Sequence, residues 1–284
     1  MSFVSPMLAR KMPDYFDRMF EPNQWWANEK FDGIRLITVV RRGASDLFTE
    51  KTVETWSRLG IIHPVPRHII EAAAKLPDGI YDGELLAPGK RCYGTMALVN
   101  GPDLLYHVFD IIEAGGFSFI HRPLEERLIY MQELEQKGHF SGPIKLAEYR
   151  MMSSWADVEA LRDRVYERDG EGLILKRVRS KYQVGKRPKD WIKIKKLERK
   201  PMMIVGFQPS RGLLNNRGPY AIVVVRDEDG IETTVKTKND AECRQFEMEA
   251  TVSPHPAIGR MLIIEYQERT PDGNYREPRW KEWA

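Results

Sequence analysis

The chain has 284 residues, 42% apolar and 30% charged, a composition that suits a folded globular protein with one large or two unequal domains. No apolar run approaches the ~18 residues that a membrane-spanning helix needs. The opening MSFVSPMLARKM lacks the basic-then-apolar pattern of an export signal, so a cytoplasmic location is expected. Two isolated cysteines, Cys92 and Cys243, exclude a four-cysteine zinc module and suit a reducing compartment. The net charge of +3 is unevenly spread: residues 176–200 carry twelve Lys/Arg against two acids, so the remainder of the chain sums to −7. A run this one-sided points to a phosphate-bearing partner, with a plain solvated face as the alternative.

In chain order, FDG at 31–33 reads as a turn before a β-branched strand, IRLITVV. Helical patterning over 68–76 is followed by strand-like runs at 79–86 and 104–112, then by helical patterns over 123–136 and 155–168. Ser153 and Ser154 are candidate N-caps of the last of these, with Asp157 an early-turn carboxylate. Strands are expected again at 170–178 and 190–197, and LERKP (197–201) reads as a polar hinge closed by Pro201. Beyond it come short strands, MMIVGFQP, AIVVVRD, IETTVKT and RMLIIEYQER, with one helical stretch at 239–250. Asp229-Gly230 and Asp272-Gly273 supply turn signals. The expected fold is α+β with antiparallel sheets, divided into domains 1–198 and 199–284, the second a small β-barrel of OB type.

Lys30-Phe31-Asp32-Gly33-Ile34-Arg35 is the sharpest local feature. A lysine that opens a tight turn before a strand can be held over a pocket as an amine nucleophile. Alone, an ordinary hairpin turn with a surface lysine explains it as well, because Asp-Gly is a favoured turn pair. Lys193 and Lys195 alternate with Ile192 and Ile194, so a strand would set both cations on one face. Glu84 and Glu171 each follow a glycine-containing turn and, read alone, are turn or surface residues. His63, His68, His107 and His121 show no metal or catalytic spacing and read as structural.

Six elements in order give these residues a context. They are Lys30-x-Asp32-Gly33-x-Arg35; Ser57-Arg58-Leu59-Gly60; Asp82-Gly83-Glu84-Leu85; Phe109-Asp110; Glu171-Gly172-Leu173-Ile174-Leu175-Lys176; and Trp191-Ile192-Lys193-Ile194-Lys195. Together with SPMLA near the N-terminus, they resemble the covalent nucleotidyltransferase superfamily and, within it, the ATP-dependent DNA ligases. The resemblance runs from about Ser5 to Arg279. It implies a nucleotidyltransferase domain followed by an OB domain. It also implies that Lys30 attacks the α-phosphate of ATP to form lysyl–AMP, with Lys193 and Lys195 beside that phosphate. Glu84 and Glu171 would contact the nucleotide and a Mg²⁺ ion, with Mn²⁺ an alternative. Phe109 would stack on adenine and Asn28 would read its edge. Glu29 and Lys176 are further nucleotide contacts. Arg35 and Arg58 would grip ribose, phosphate or the DNA end, and Arg276 and Arg279 would orient the β,γ-phosphates.

The resemblance further implies nicked duplex DNA as partner, held by Lys181, Lys186, Arg187, Arg211 and Arg217 besides Arg35 and Arg58. The 29 residues before Lys30 and the lack of a cysteine cluster disfavour an NAD-dependent ligase. The expectation is a minimal two-domain ligase of bacteriophage or bacterial type, acting as a monomer in the cytoplasm, on a nucleoid or in an infected host. Alternatives are an RNA ligase, an mRNA-capping type of nucleotidyltransferase, and an inactive nucleic-acid-binding OB protein.

Overall fold

Strands form where β-branched and alternating runs were found, and glycines decide how closely they approach. The computed structural model describes residues 3–43, 51–89, 101–209, 218–270 and 272–284. Its contacts divide the chain into two compact units, Met1–Ile194 and Lys195–Ala284.

The first unit runs through β1 (Arg10–Lys11), β2 (Trp25–Glu29), β3 (Ile34–Arg42), β4 (Lys51–Ser57), α1 (Arg67–Ala73), β5 (Gly79–Leu86) and β6 (Leu105–Ala114). It continues with β7 (Phe117–Ser118), α2 (Leu124–Gln136), β8 (Ile144–Leu146), β9 (Tyr149–Met152), α3 (Trp155–Glu167), β10 (Gly172–Arg177) and β11 (Trp191–Lys195). One sheet has the order β1-β11-β10-β2-β9; the other has β4-β3-β5-β6-β7, with β8 beside β6. The pairings β1–β11 and β6–β8 are parallel, whereas those joining β2, β3, β4, β5 and β6 to their neighbours are antiparallel.

Side-chain alternation sorts each sheet into two faces. On β3, Leu36 and Val40 enter a core with Ile69 of α1 and Leu128 and Met131 of α2. Ile37 and Val39 turn the other way, toward Met7, Phe109, Tyr182 and Trp191. In the other sheet, Trp25, Ala27, Leu173, Leu175, Ile192 and Ile194 pack against Val158 and Val165 of α3. The inner face of that sheet meets the Ile37 face of its neighbour: the Tyr149 hydroxyl donates to the Phe109 carbonyl at 2.5 Å. The helix start expected at Ser153-Ser154 is formed, with the Ser154 hydroxyl accepting from the Asp157 amide at 3.1 Å and Asp157 accepting from the Ser153 amide at 3.2 Å.

The second unit holds β12 (Glu198–Gln208), β13 (Ile222–Arg226), β14 (Glu232–Lys236), α4 (Asp240–Glu249), β15 (Met261–Tyr266) and β16 (Arg279–Trp283). The order β14-β13-β12-β15-β16 is antiparallel throughout, and irregular register at Ile204/Gly206 and Ile263/Ile264 bends the sheet. The curled half-barrel fits an OB fold. Phe246 of α4 plugs it against Met202, Val223, Leu262 and Trp280. The molecule is thus α+β with mainly antiparallel sheets. None of the described helices is long and apolar enough to cross a membrane.

Two local expectations change. Residues 198–201 are not a loop: they begin β12, with Pro201 opposite Ile263, and only Lys196 and Leu197 separate β11 from β12. Pairing of β12 with β13 starts at Met203, so the missing Pro201 amide faces no ladder partner on that side. Asp82-Gly83 is not a turn either; both residues lie inside β5, flanked by β3 and β6. A Cβ on Gly83 would stand 2.5 Å from the His107 carbonyl oxygen and 2.6 Å from the Tyr106 ring. Gly83→Ala should therefore destabilise the protein by at least about 1–3 kcal/mol in urea unfolding, the range for overpacking a core.

Candidate active site

Lys30 follows β2 directly, and its backbone amide donates to the Gly172 carbonyl at 2.8 Å. That bond extends the β2–β10 ladder, in which Glu29 faces Leu173, and so brings Glu171 to the lysine. Lys30 Nζ donates to Glu171 Oε2 at 2.5 Å, with the carboxylate almost wholly buried. Glu84 enters from β5, in register with Arg35 on one side and His107 on the other. Burial chiefly, helped by the nearby carboxylates of Glu171 and Asp82, pushes the Glu84 carboxyl up to about 7 against the opposing pull of Lys30 and Arg35.

Behind this group lies a layer of charge between the two sheets. Arg35 grips Asp82 with two hydrogen bonds, 2.7 and 2.6 Å, and donates to the Met7 carbonyl at 2.9 Å. Tyr182 adds a third hydrogen bond to Asp82 at 2.6 Å. The guanidinium lies 4.7 Å from the centre of the Phe109 ring, and Lys176 Nζ lies at the same distance. Lys176 also donates to Tyr149 Oη and to the Phe109 carbonyl, and sits 4.1 Å from the Trp191 ring. Its ammonium is fully buried, and burial chiefly lowers it to about 7, with Arg35 and Arg127 adding and Asp110 and Asp82 opposing. Trp191 and Lys193 share a strand parity, so Lys193 belongs to this inner face, while Ile192 and Ile194 are buried against α3.

A cavity of about 320 Å³, within the range of small-ligand sites, opens beside the lysine. Asn28, Glu29, Phe31, His107, Glu148 and Arg168 are among the residues that line it. Lys30, Glu84, Glu171 and Phe109, the last expected to stack on a base, are not among its lining residues; the Phe109 ring is 7% exposed, with Arg35 and Lys176 against it. Phe31 and His107 instead form an aromatic pair with ring centres 4.7 Å apart. Burial chiefly, with Lys145 adding, lowers His107 to about 4, which keeps the imidazole neutral near pH 7. In the sequence Phe31 carries no role of its own within the lysine motif and His107 reads as structural, although they lie one position from Lys30 and two from Phe109. Asn28 is 3% exposed; its Nδ2 donates to the Glu29 carbonyl at 2.7 Å, and its buried Oδ1 accepts no hydrogen bond. Glu29 forms an ion pair with Arg168.

The other expected site residues are dispersed. Arg58, Lys181, Lys186 and Arg187 are exposed, and Arg187 donates to the Ala9 carbonyl. Arg211 and Arg217 lie outside the described residues. In the second unit Arg276 pairs with Glu268 at 2.5 Å, Arg279 with Glu277 at 3.4 Å, and Lys195 with Glu277 at 3.9 Å.

The sequence profile of the ATP dependent DNA ligase domain matches residues 6–195, two thirds of the chain and every site element in the first unit. The chain belongs to that family. It is 28% identical over 277 residues to a DNA ligase of Methanothrix thermoacetophila, covering 87% of this chain and 48% of that one. It is 26% identical to the SPbeta prophage-derived DNA ligase-like protein LigB of Bacillus subtilis, covering 72% of each chain. This ligase-family chain spans about half the length, or less, of several curated relatives it matches. Among solved structures, a Lig E DNA ligase superposes with TM-score 0.74 at 20% identity over the whole of both chains. The structure named Pmar-Lig_PreS3 gives 0.79 at 20% identity, covering 99% of this chain and 67% of the other.

A divalent cation is typical of ATP-dependent DNA ligases. Among the described residues no group of three or more His, Cys, Asp or Glu gathers to hold a metal. Glu84 and Glu171 still suit a hard ion that takes one or two carboxylates and fills its sphere with water and phosphate oxygens.

The ligase-domain core also makes a pH-linked prediction. The unfolded chain holds the Lys176 proton up to about 10.4, whereas the folded chain releases it near 7. Between these values the unfolded state binds more protons, so stability rises with pH and the cost of the buried charge is greatest below 7. Relative to Lys176→Met, the wild type should gain up to about 1.4 kcal/mol per pH unit from 7 to 10 in urea titrations. A flat difference would contradict the burial-driven shift.

Proposed function

We propose that this protein is an ATP-dependent DNA ligase that seals nicks between a 5′-phosphate and a 3′-hydroxyl in duplex DNA. The observation that carries the reading is Lys30 Nζ at 2.5 Å from Glu171 Oε2, with Glu84 entering from the facing strand. In the first step Lys30 Nζ forms a bond to the α-phosphorus of ATP and the bond to the β-phosphate oxygen breaks, releasing pyrophosphate. Glu171 Oε2 is placed to take the proton that the amine gives up. Lys193 and Lys195 supply positive charge for the phosphate oxygens on which charge develops. A bound divalent ion, held by Glu84 and Glu171, would add further neutralisation of the triphosphate; Mg²⁺ is the first choice and Mn²⁺ the second. AMP then passes from Lys30 to the 5′-phosphate of the nick, and the 3′-hydroxyl displaces AMP to close the strand.

The buried Asn28 Oδ1 is an acceptor without a partner, and the exocyclic N6 amine of adenine would donate to it. The first unit is then the nucleotidyltransferase domain and the second the OB domain, with Arg276 and Arg279 serving the β,γ-phosphates. The basic stretch from Arg177 to Lys189 follows the DNA backbone, with Arg211 and Arg217 as further contacts. The Lig E DNA ligases, described as binding DNA with a minimal scaffold, support DNA as the partner. On this reading the protein works as a monomer in the cytoplasm, where the DNA is.

Lys30→Ala protein incubated with radiolabelled ATP and Mg²⁺ should take up no covalent label, and persistent labelling would remove the lysine from its role. Asn28→Ala should raise the KM for ATP about tenfold with little change in kcat, the size of one buried hydrogen bond to an otherwise unpaired group. Equal use of ATP and GTP by the wild type would argue against the adenine reading.

A further inference from the structure

The turn that follows β4 displays apolar side chains that nothing in the first step of the reaction uses. Leu59, Ile61 and Ile62 are 77%, 64% and 61% exposed, three large aliphatics within four residues. Scattered exposed leucines are ordinary, but a contiguous cluster on a soluble protein marks a contact surface. This cluster is also held rigidly. Ser57 and Thr55 receive the returning chain through the bonds Ser57 N–H to Ile61 O, 2.8 Å, and His63 N–H to Thr55 O, 2.8 Å. Gly60 adopts φ +76°, with the Phe3 ring lying where a side chain at residue 60 would begin, 3.0 Å away. The backbone therefore has no freedom to fold the aliphatic side chains inward.

Its position and charge identify the occupant. Leu36 faces Ser57, the last residue of β4, and Arg35 faces Glu84 in the next row of β3 and β5, so the turn leaves the sheet one row from those residues. The turn thus projects from the end of the sheet that carries the site, in the same unit. Arg58, exposed and next to Leu59, supplies the positive charge that a phosphate backbone requires. An apolar knuckle flanked by a cation matches the minor groove of a duplex, where leucine and isoleucine pack on sugar faces or wedge at a base step while arginine meets phosphate. A nick offers such a step already loosened.

We propose that the Arg58–Ile62 turn is a DNA-contact element in which Leu59 and Ile61 pack in the minor groove beside the nick while Arg58 holds an adjacent phosphate. This rests on the DNA ligase reading above. The inference adds an apolar, salt-insensitive component to a grip otherwise made of phosphate contacts.

The test is the double variant Leu59→Ser/Ile61→Ser, compared with the conservative pair Leu59→Met/Ile61→Leu and with Arg58→Ala. Three quantities are measured: AMP uptake from ATP without DNA, affinity for a nicked duplex across a salt series, and sedimentation. Unchanged melting temperature and AMP uptake within twofold of wild type certify that the polar pair is folded. The proposal expects that pair to bind nicked duplex at least tenfold more weakly with an unaltered log–log salt slope, because no counterion is involved. The conservative pair should retain wild-type affinity, and Arg58→Ala should lower the slope. Nick affinity within twofold of wild type in the polar pair would overturn the proposal. So would a wild-type dimer that the polar pair converts to monomer, since the occupant would then be a second copy. Failure of the wild type to take up AMP would sink the ligase reading instead, and duplex affinity of the variants would still decide the turn.

Discussion

One carboxylate organises the first unit. Asp82 is wholly buried and accepts three hydrogen bonds, two from Arg35 and one from Tyr182, so a charge that would be costly alone is fully compensated. Those partners come from different elements, β3 and the segment between β10 and β11, and Tyr182 in turn accepts from the Met7 amide. Arg35 and Asp82 join neighbouring strands of one sheet, and Tyr182, on the segment between two strands of the other sheet, ties that segment to them. Glu84 lies two residues along β5 from this layer, and Lys30 four residues before β3. Removing either partner would leave the other charge buried without compensation.

The second unit repeats the device with other residues. Asp227 accepts from Tyr275, Arg269 and the amides of Asp229 and Ile231, and Lys200 stands 3.5 Å away. In spite of burial, these hydrogen bonds hold its carboxyl well below the usual carboxylate range. The hub ties the start of β12 to the 227–231 turn and to the hairpin that carries Arg276. In both units, then, a buried carboxylate gathers hydrogen bonds from several elements and pins them together.

Much of this was legible in the sequence, and the limits have a physical origin. The lysine, the order of the motifs, the 3.6-residue and two-residue periodicities and the Ser154 cap are local features, so residues near one another in the chain reveal them. The alternation at 191–195 was read correctly for Ile192 and Ile194, whose face is apolar. The Arg35–Asp82 pair joins positions 47 apart and the Tyr182–Asp82 bond positions 100 apart, and no local pattern announces such partners. The sequence therefore offers Arg35 as a ligand-gripping group without showing its Asp82 partner. Phe109 shows the same limit: its parity places it on the inner face, but only the fold shows Arg35 and Lys176 covering its ring. Asp82-Gly83 and Pro201 misled for another reason. Both are turn signals by frequency, yet Gly83 serves close strand approach and Pro201 sits where a sheet has no neighbour to serve.

The strand order has a consequence for how the protein is made. The sheet built on β3 to β8 uses residues 34 to 146 and is complete early in synthesis. In the other sheet β2, which leads into the lysine, lies between β9 and β10, and β1 waits for β11, some 180 residues later. Lys30 therefore leaves the ribosome long before Glu171 exists, and its half of the site stays open while roughly 140 further residues are added at about 5–20 per second. Contacts of such sequence separation are slow to form, since loop closure must precede any gain from pairing. The Lys30–Glu171 contact is thus assembled among the last features of its unit, and a truncated or nascent chain carries the lysine without its carboxylate partner.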